Sequence, residues 1–103
     1  RVDESLYFAN ARYLEDKIHN RVAGDKNIRH VILQCSAIND IDLSALESLE
    51  NINSRLHEMD VKLHLSEVKG PVMDRLKRAH FLAELTGEVF LSQFEASRTL
   101  QRT

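Results

Sequence analysis

Two aspartates and a serine, Asp40, Asp42 and Ser44, are the residues whose type and spacing best suit chemistry. They fall within Ile38-Asn39-Asp40-Ile41-Asp42-Leu43-Ser44-Ala45-Leu46, where an apolar run from Val31 to Cys35 gives way to a helical pattern starting near Leu43. The first turn of a helix carries backbone N–H groups without helical partners. Those groups and the helix dipole favour negative charge there. Ser44 is therefore a candidate for phosphorylation or anion sensing, with Asn39, Asp40, Asp42 and Ala45 around it. It is equally a candidate helix cap, because Ser44-x-x-Glu47 has the capping-box form. Two aspartates this close can serve as a metal or acid/base pair, but ahead of a helix they more often cap it and complement its dipole.

Other chemistries lack their motifs. There is no Gly-x-Gly-x-x-Gly and no glycine loop ending in Lys-Ser/Thr, so no dinucleotide or triphosphate cradle is expected. Gly-x-Ser-x-Gly is absent and no histidine neighbours Ser44, so the chain reads as non-catalytic. The five histidines, His19, His30, His57, His64 and His80, do not form a zinc-type pair, and no metal is expected. His64 reads as a solvated surface residue beside Lys62 on a strand. Cys35, the single cysteine, reads as an inert buried thiol of a reducing compartment. Lys69, Arg75, Lys77 and Arg78 read as a solvated face or as a docking surface for an acidic partner or lipid headgroups.

These residues need a scaffold, and 103 residues are enough for one domain with a real core. The composition, 43% hydrophobic and 29% charged, is that of an ordinary globular domain. A net charge of −2 gives no footprint for nucleic acid. No apolar run approaches the ~18 residues that span a bilayer. The chain begins at Arg1 rather than methionine, which suggests an excised piece of something longer.

The pattern along the chain alternates strands and helices. Val2 and Leu6-Tyr7-Phe8 read as strand material, a hairpin broken by Asp3-Glu4-Ser5, with Leu6 to Phe8 partly exposed. Asn10 reads as the cap of a first helix that buries Ala11, Leu14, Ile18 and Val22 and turns Arg12, Glu15, Lys17 and Arg21 to water. Gly24-Asp25 ends it. His30 to Ser36 reads as a strand covered on both faces. The second helix carries the stripe Leu43, Leu46, Leu49, Ile52 and Leu56. Val61 to Ser66 alternates as another strand. Pro71 opens a third helix with Val72, Leu76 and Ala79, and Phe81 to Leu85 makes a short turn closed by Gly87. Val89 to Leu91 is a brief last strand, and Ser92 caps a final helix bearing Phe94, Ala96 and Leu100. The expected architecture is one α/β domain over residues 1–103, with a mostly parallel sheet of about four or five strands, about four helices and right-handed crossovers.

Asp42-Leu43-Ser44-Ala45-Leu46 after an apolar strand resembles the STAS domain, shared by anti-sigma factor antagonists and by the tails of sulfate permease-type (SulP) anion transporters. In the antagonists this segment reads Asp-Ser-Ser/Thr-Gly-Leu, and the resemblance places their phosphorylated hydroxyl on Ser44. Leu43 and Ala45 depart from that pattern, and losing the glycine takes away close backbone access for a kinase. Arg1 to Ala11, Ser44 to Leu49 and Leu63 to Val72 are similar to bacterial transporter tails.

The resemblance implies a non-catalytic regulatory domain on the cytoplasmic side of the bacterial inner membrane. Its partners would be the transmembrane domain of the same polypeptide and a cytoplasmic regulatory protein, with no nucleic acid and an open oligomeric state. The alternative is a free-standing antagonist-like switch controlled at Ser44. No motif calls for a cofactor, although amides at Ser44 to Leu46 offer a place for an anion or a nucleotide phosphate.

Overall fold

The computed structural model describes residues 1–7 and 11–100. Four parallel strands, β1 (Val2–Ser5), β2 (His30–Gln34), β3 (Lys62–Ser66) and β4 (Val89–Phe90), lie side by side in chain order. Between them run α1 (Ala11–Ala23), α2 (Leu43–Glu58), α3 (Gly70–Arg78) and α4 (Phe81–Glu84), and α5 (Gln93–Leu100) follows β4.

Strands added in one direction by right-handed crossovers place every connecting helix on the same sheet face. The main core accordingly joins Val31, Leu33, Leu63 and Leu65 of the sheet to Leu14, Ile18, Leu49, Ile52, Leu56, Leu76 and Phe81. Among the described residues the other face is closed by α5, with Ile32 and Phe90 packed against Ala96 and Leu100. Polar bonds complete the closure: Ser66 Oγ donates to Gln93 Oε1 at 2.7 Å, Gln93 Nε2 to Asp3 Oδ2 at 3.1 Å, and Arg1 to the Ser97 carbonyl at 3.3 Å.

Several sequence expectations change. Asp3-Glu4-Ser5 is no hairpin turn; it is β1 itself, in register with Ile32, Leu33 and Gln34. Ion pairs make this acidic edge strand tolerable, Arg1 to Asp3 at 2.9 Å and Lys17 to Glu4 at 3.2 Å. Leu6 is buried beyond the strand and Tyr7 is exposed, while Phe8 and the Asn10 cap lie outside the described residues. Glu15 is buried, because Ala11, Leu14, Glu15, Ile18 and Val22 share one helical stripe. Leu43 overhangs the core at the start of α2 and is exposed. Ala79 is exposed at the end of α3. Phe94 is exposed too, on the side of α5 opposite Ala96 and Leu100. Ser92 does receive the Glu95 N–H at 3.0 Å, as a cap should.

Cys35 is buried with its thiol near the Leu33 carbonyl, and burial pushes its pKa up to about 12. A thiol held in that protonated form is a poor nucleophile.

Candidate functional site

The loop from Ile38 to Asp42 crosses from the end of β2 to the start of α2 at the carboxyl ends of the strands. Ile38 and Ile41 are buried and pin it to the core, leaving Asn39 and Asp40 exposed between them. Asp42 is extended (φ −89°, ψ 174°) and caps α2, its Oδ1 accepting the Ala45 N–H at 2.8 Å. The Asp42 carbonyl also takes the Leu46 N–H at 2.9 Å, the first bond of the helix.

That geometry corrects the capping-box expectation. Ser44 is the second residue inside α2, exposed, and the cap is two positions earlier. Asp42 does the capping because its carboxylate lies outside the helix and reaches the third amide, whereas a side chain within the first turn points away. Of the amides at Ser44 to Leu46, those of Ala45 and Leu46 are already engaged by Asp42, which narrows the proposed anion cradle. The expected stability effects follow: Asp42→Ala costs about 1 kcal/mol through the lost cap, and Ser44→Ala stays within about 0.5 kcal/mol. Urea titrations of both variants check this, and equal losses would return the cap to Ser44.

Two cations clasp the loop. Lys69 Nζ donates to Asn39 Oδ1 at 2.6 Å, and Arg75 Nε lies 3.5 Å from Asp40 Oδ1. Asp40 Oδ1 also accepts the Ile41 N–H at 2.8 Å. The basic cluster is therefore divided: Lys69 and Arg75 hold the loop, while Lys77 and Arg78 face solvent. Between loop and α3 lies an open depression of about 330 Å³, lined in part by Asn39, Asp40, Asp42 and Arg75. The structure thus gathers Asn39, Asp40, Asp42, Ser44 and Ala45 at one end of the sheet. Ala45 itself is buried, so the accessible groups are Asn39, Asp40 and Ser44, with Asp42 half-buried.

His64 is not the solvated surface residue expected beside Lys62. It is 3% exposed, on the sheet face beneath α5, with its ring 5.7 Å from that of Phe90. Its Nδ1 accepts the Glu88 N–H at 3.0 Å, which puts the ring proton on Nε2. Nε2 lies 2.9 Å from Nδ1 of His30 and donates to it. Burial, then the charges of His30 and Lys62, lowers the His64 pKa from 6.5 to about 4. The signal was available: β2 was read as covered on both faces, and its neighbour β3 shares that cover. Among the described residues no group of His, Cys, Asp or Glu is arranged to hold a metal ion.

Residues 1–96 match the STAS domain family. Sulfate transporter 3.1 of Arabidopsis thaliana is 33% identical over 106 residues, covering 92% of this chain and 16% of that protein. High affinity sulfate transporter 2 of Stylosanthes hamata is 32% identical over 110 residues, covering 96% of this chain and 16% of the relative. The chain thus spans about a sixth of the length of these relatives. Among solved structures, the STAS domain of a SulP transporter from Vibrio cholerae superposes with a TM-score of 0.79 at 20% identity, over 98% of this chain and 81% of that one. A Thermotoga maritima protein described as an anti-sigma factor antagonist superposes with a TM-score of 0.73 at 16% identity, over 96% and 82% of the two chains. At such identities these two likenesses establish a common fold.

Proposed function

Since the chain belongs to the STAS domain family, we propose that it is the non-catalytic regulatory and interaction domain of a sulfate permease-type anion transporter, on the cytoplasmic side of a bacterial membrane. The observation that carries this reading is identity above 30% along nearly the whole chain to proteins named sulfate transporters, of which it matches only a sixth. A permeation path through lipid needs spanning segments. No described helix is long and apolar enough to cross a membrane, so in this reading the first partner is a transmembrane domain of the same polypeptide.

The Asn39 to Ala45 segment is the proposed regulatory surface. A cytoplasmic protein docking there meets a loop fixed by Lys69 and Arg75 and an exposed hydroxyl at Ser44. That exposure also favours the second reading, a free-standing switch in which phosphate on Ser44 repels a partner. The modification would add about −1.5 to −2 charges beside Asp40 and Asp42.

Sequencing the coding DNA upstream of the Arg1 codon separates the two readings. Several long apolar segments in frame are the result expected for the transporter domain. A nearby start codon without them would overturn it, and phosphorylation assays of Ser44 would then test the switch.

A further inference from the structure

The opposite end of the sheet holds an open depression of about 580 Å³ at the amino ends of β2 and β3. Arg29, His30, His57 and Lys62 line it, with a single carboxylate, Asp60, and the Thr86 hydroxyl. Arg29 precedes β2 and Lys62 opens β3, while His57 comes from the last turn of α2. Three elements thus bring two permanent cations and two imidazoles to one hollow.

Arg29 and Lys62 have no charge partner to neutralise them among the described residues: neither joins an ion pair there. The described ion pairs engage Arg1, Lys17, Arg55 and Arg75. Arg29 and Lys62 make no side-chain hydrogen bond or ion pair among the described residues. The carboxyl end of α2, a place that attracts cations, does not occupy them either. Its Leu56 carbonyl receives the Met59 and Val61 N–H groups, and its His57 carbonyl receives that of Asp60. The Thr86 hydroxyl is spent as well, accepting from Leu63 N at 3.1 Å and lying 3.4 Å from Asn53 Oδ1.

With Arg29 and Lys62 against Asp60, the lining of the hollow carries a net positive charge. The His30 pKa is lowered, by burial first and then by the charge of Lys62. The bond from His64 fixes the His30 tautomer with its proton on Nε2. Arginine supplies a planar fork for two oxygens and lysine a point charge.

We propose that this hollow is a binding site for a small tetrahedral oxyanion of the phosphate or sulfate type, held by Arg29 and Lys62 with His57 as a further donor. It is a different site from the Asn39 to Ala45 surface, at the far end of the strands, and it stands whether or not the transporter reading does.

Titration of the 103-residue domain with inorganic phosphate and with sulfate, followed by amide and imidazole NMR, tests it. Chloride at matched ionic strength controls for screening. Saturable shifts at His30, His57 and Lys62, with a dissociation constant on the order of 1 mM, are expected with both oxyanions and not with chloride. Arg29→Gln and Lys62→Gln should each weaken binding about tenfold, and Lys69→Gln at the other end should leave it unchanged. Arg29 and Lys62 are exposed, so both variants should fold, and unaltered amide spectra elsewhere confirm it.

Shifts that never saturate, or that persist in the double variant, overturn the site. A third arm uses phosphatidylglycerol vesicles. Vesicle binding lost in the double variant, with no response to phosphate or sulfate, would replace the free oxyanion by a lipid headgroup and overturn the proposal as stated.

Discussion

Gly87→Ala lowers the melting temperature by about 10–20 °C, the equivalent of about 3 kcal/mol in a domain of this size. The backbone at Gly87 lies so close to β3 that a Cβ would collide with the Leu63 carbonyl oxygen and stand 2.5 Å from Nδ1 of His64. Neither obstacle is the free end of a flexible chain. One is the backbone of a central strand, and the other is a buried ring bonded on both sides. The segment from Thr86 to Glu88 has to move off the sheet instead. Three bonds then weaken together: Leu63 N to Thr86 Oγ at 3.1 Å, Glu88 N to His64 Nδ1 at 3.0 Å, and Leu65 N to the Glu88 carbonyl at 3.0 Å. An unpaired buried donor costs about 1–3 kcal/mol, so partial loss of these bonds accounts for the figure.

Gly24→Ala is the control. Its nearest obstacle would be the Asn20 carbonyl oxygen at 3.4 Å, an ordinary contact, and the change should be neutral or stabilising by up to about 1 kcal/mol. Thermal melts of both variants decide the matter. A Gly87→Ala protein melting within a degree or two of the parent would show that the segment gives way freely.

This close approach was invisible in the sequence, where Gly87 read only as the end of a short helical turn. Apart from β1, whose acidic residues read as a turn, the strands and helices were legible because apolar spacing dictates them. The stripe from Leu49 to Leu56 and the run from Val31 to Leu33 leave little choice. Parallel pairing followed from alternation of strand and helix, and it explains why β1 carries acidic residues: as an edge strand it can pair them with Arg1 and Lys17.

The position of the candidate loop was legible too, because a strand followed by Asp-x-Ser and a helical stripe can only be a strand-to-helix junction. Who caps that helix was not, since Asp42 and Ser44 both suit the role and a shift of two residues decides between them. The second sheet face was least legible. Reading it requires knowing that α5 folds back across β2 and β4, and only then do His64 and Ser66 become interior residues. Lys69 and Arg75 likewise became loop clasps only when α3 was laid beside Asn39 and Asp40.

Burial of His64 also makes the domain acid-sensitive, with a sign that can be worked out. Its folded pKa of about 4 lies below the 6.5 of an unperturbed histidine, so between those values the unfolded chain binds more protons than the folded one. The stability due to the neutral ring is therefore complete above pH 6.5 and drains away as the pH falls towards 4. At 1.36 kcal/mol per pH unit the loss is about 3 kcal/mol. The structure gives the reason. Protonated His64 has no acceptor left for the Glu88 N–H, and its charge faces Lys62 and His30 beneath α5. His30, also lowered, adds to the loss with the same sign.

His64→Asn removes the titration while its side-chain oxygen replaces Nδ1 as acceptor for Glu88. The variant is less stable at pH 7, by about 1–3 kcal/mol, through the smaller side chain and the missing bond to His30. Between pH 7 and 4.5 its stability declines less steeply than the parent's, so the two curves converge. Carboxylates contribute equally to both and drop out of the difference. Urea unfolding across that range, with imidazole NMR of the parent to locate the titration, makes the measurement. Parallel curves, or a His64 ring titrating near pH 6.5, would mean that α5 does not seal this face as the folded chain requires.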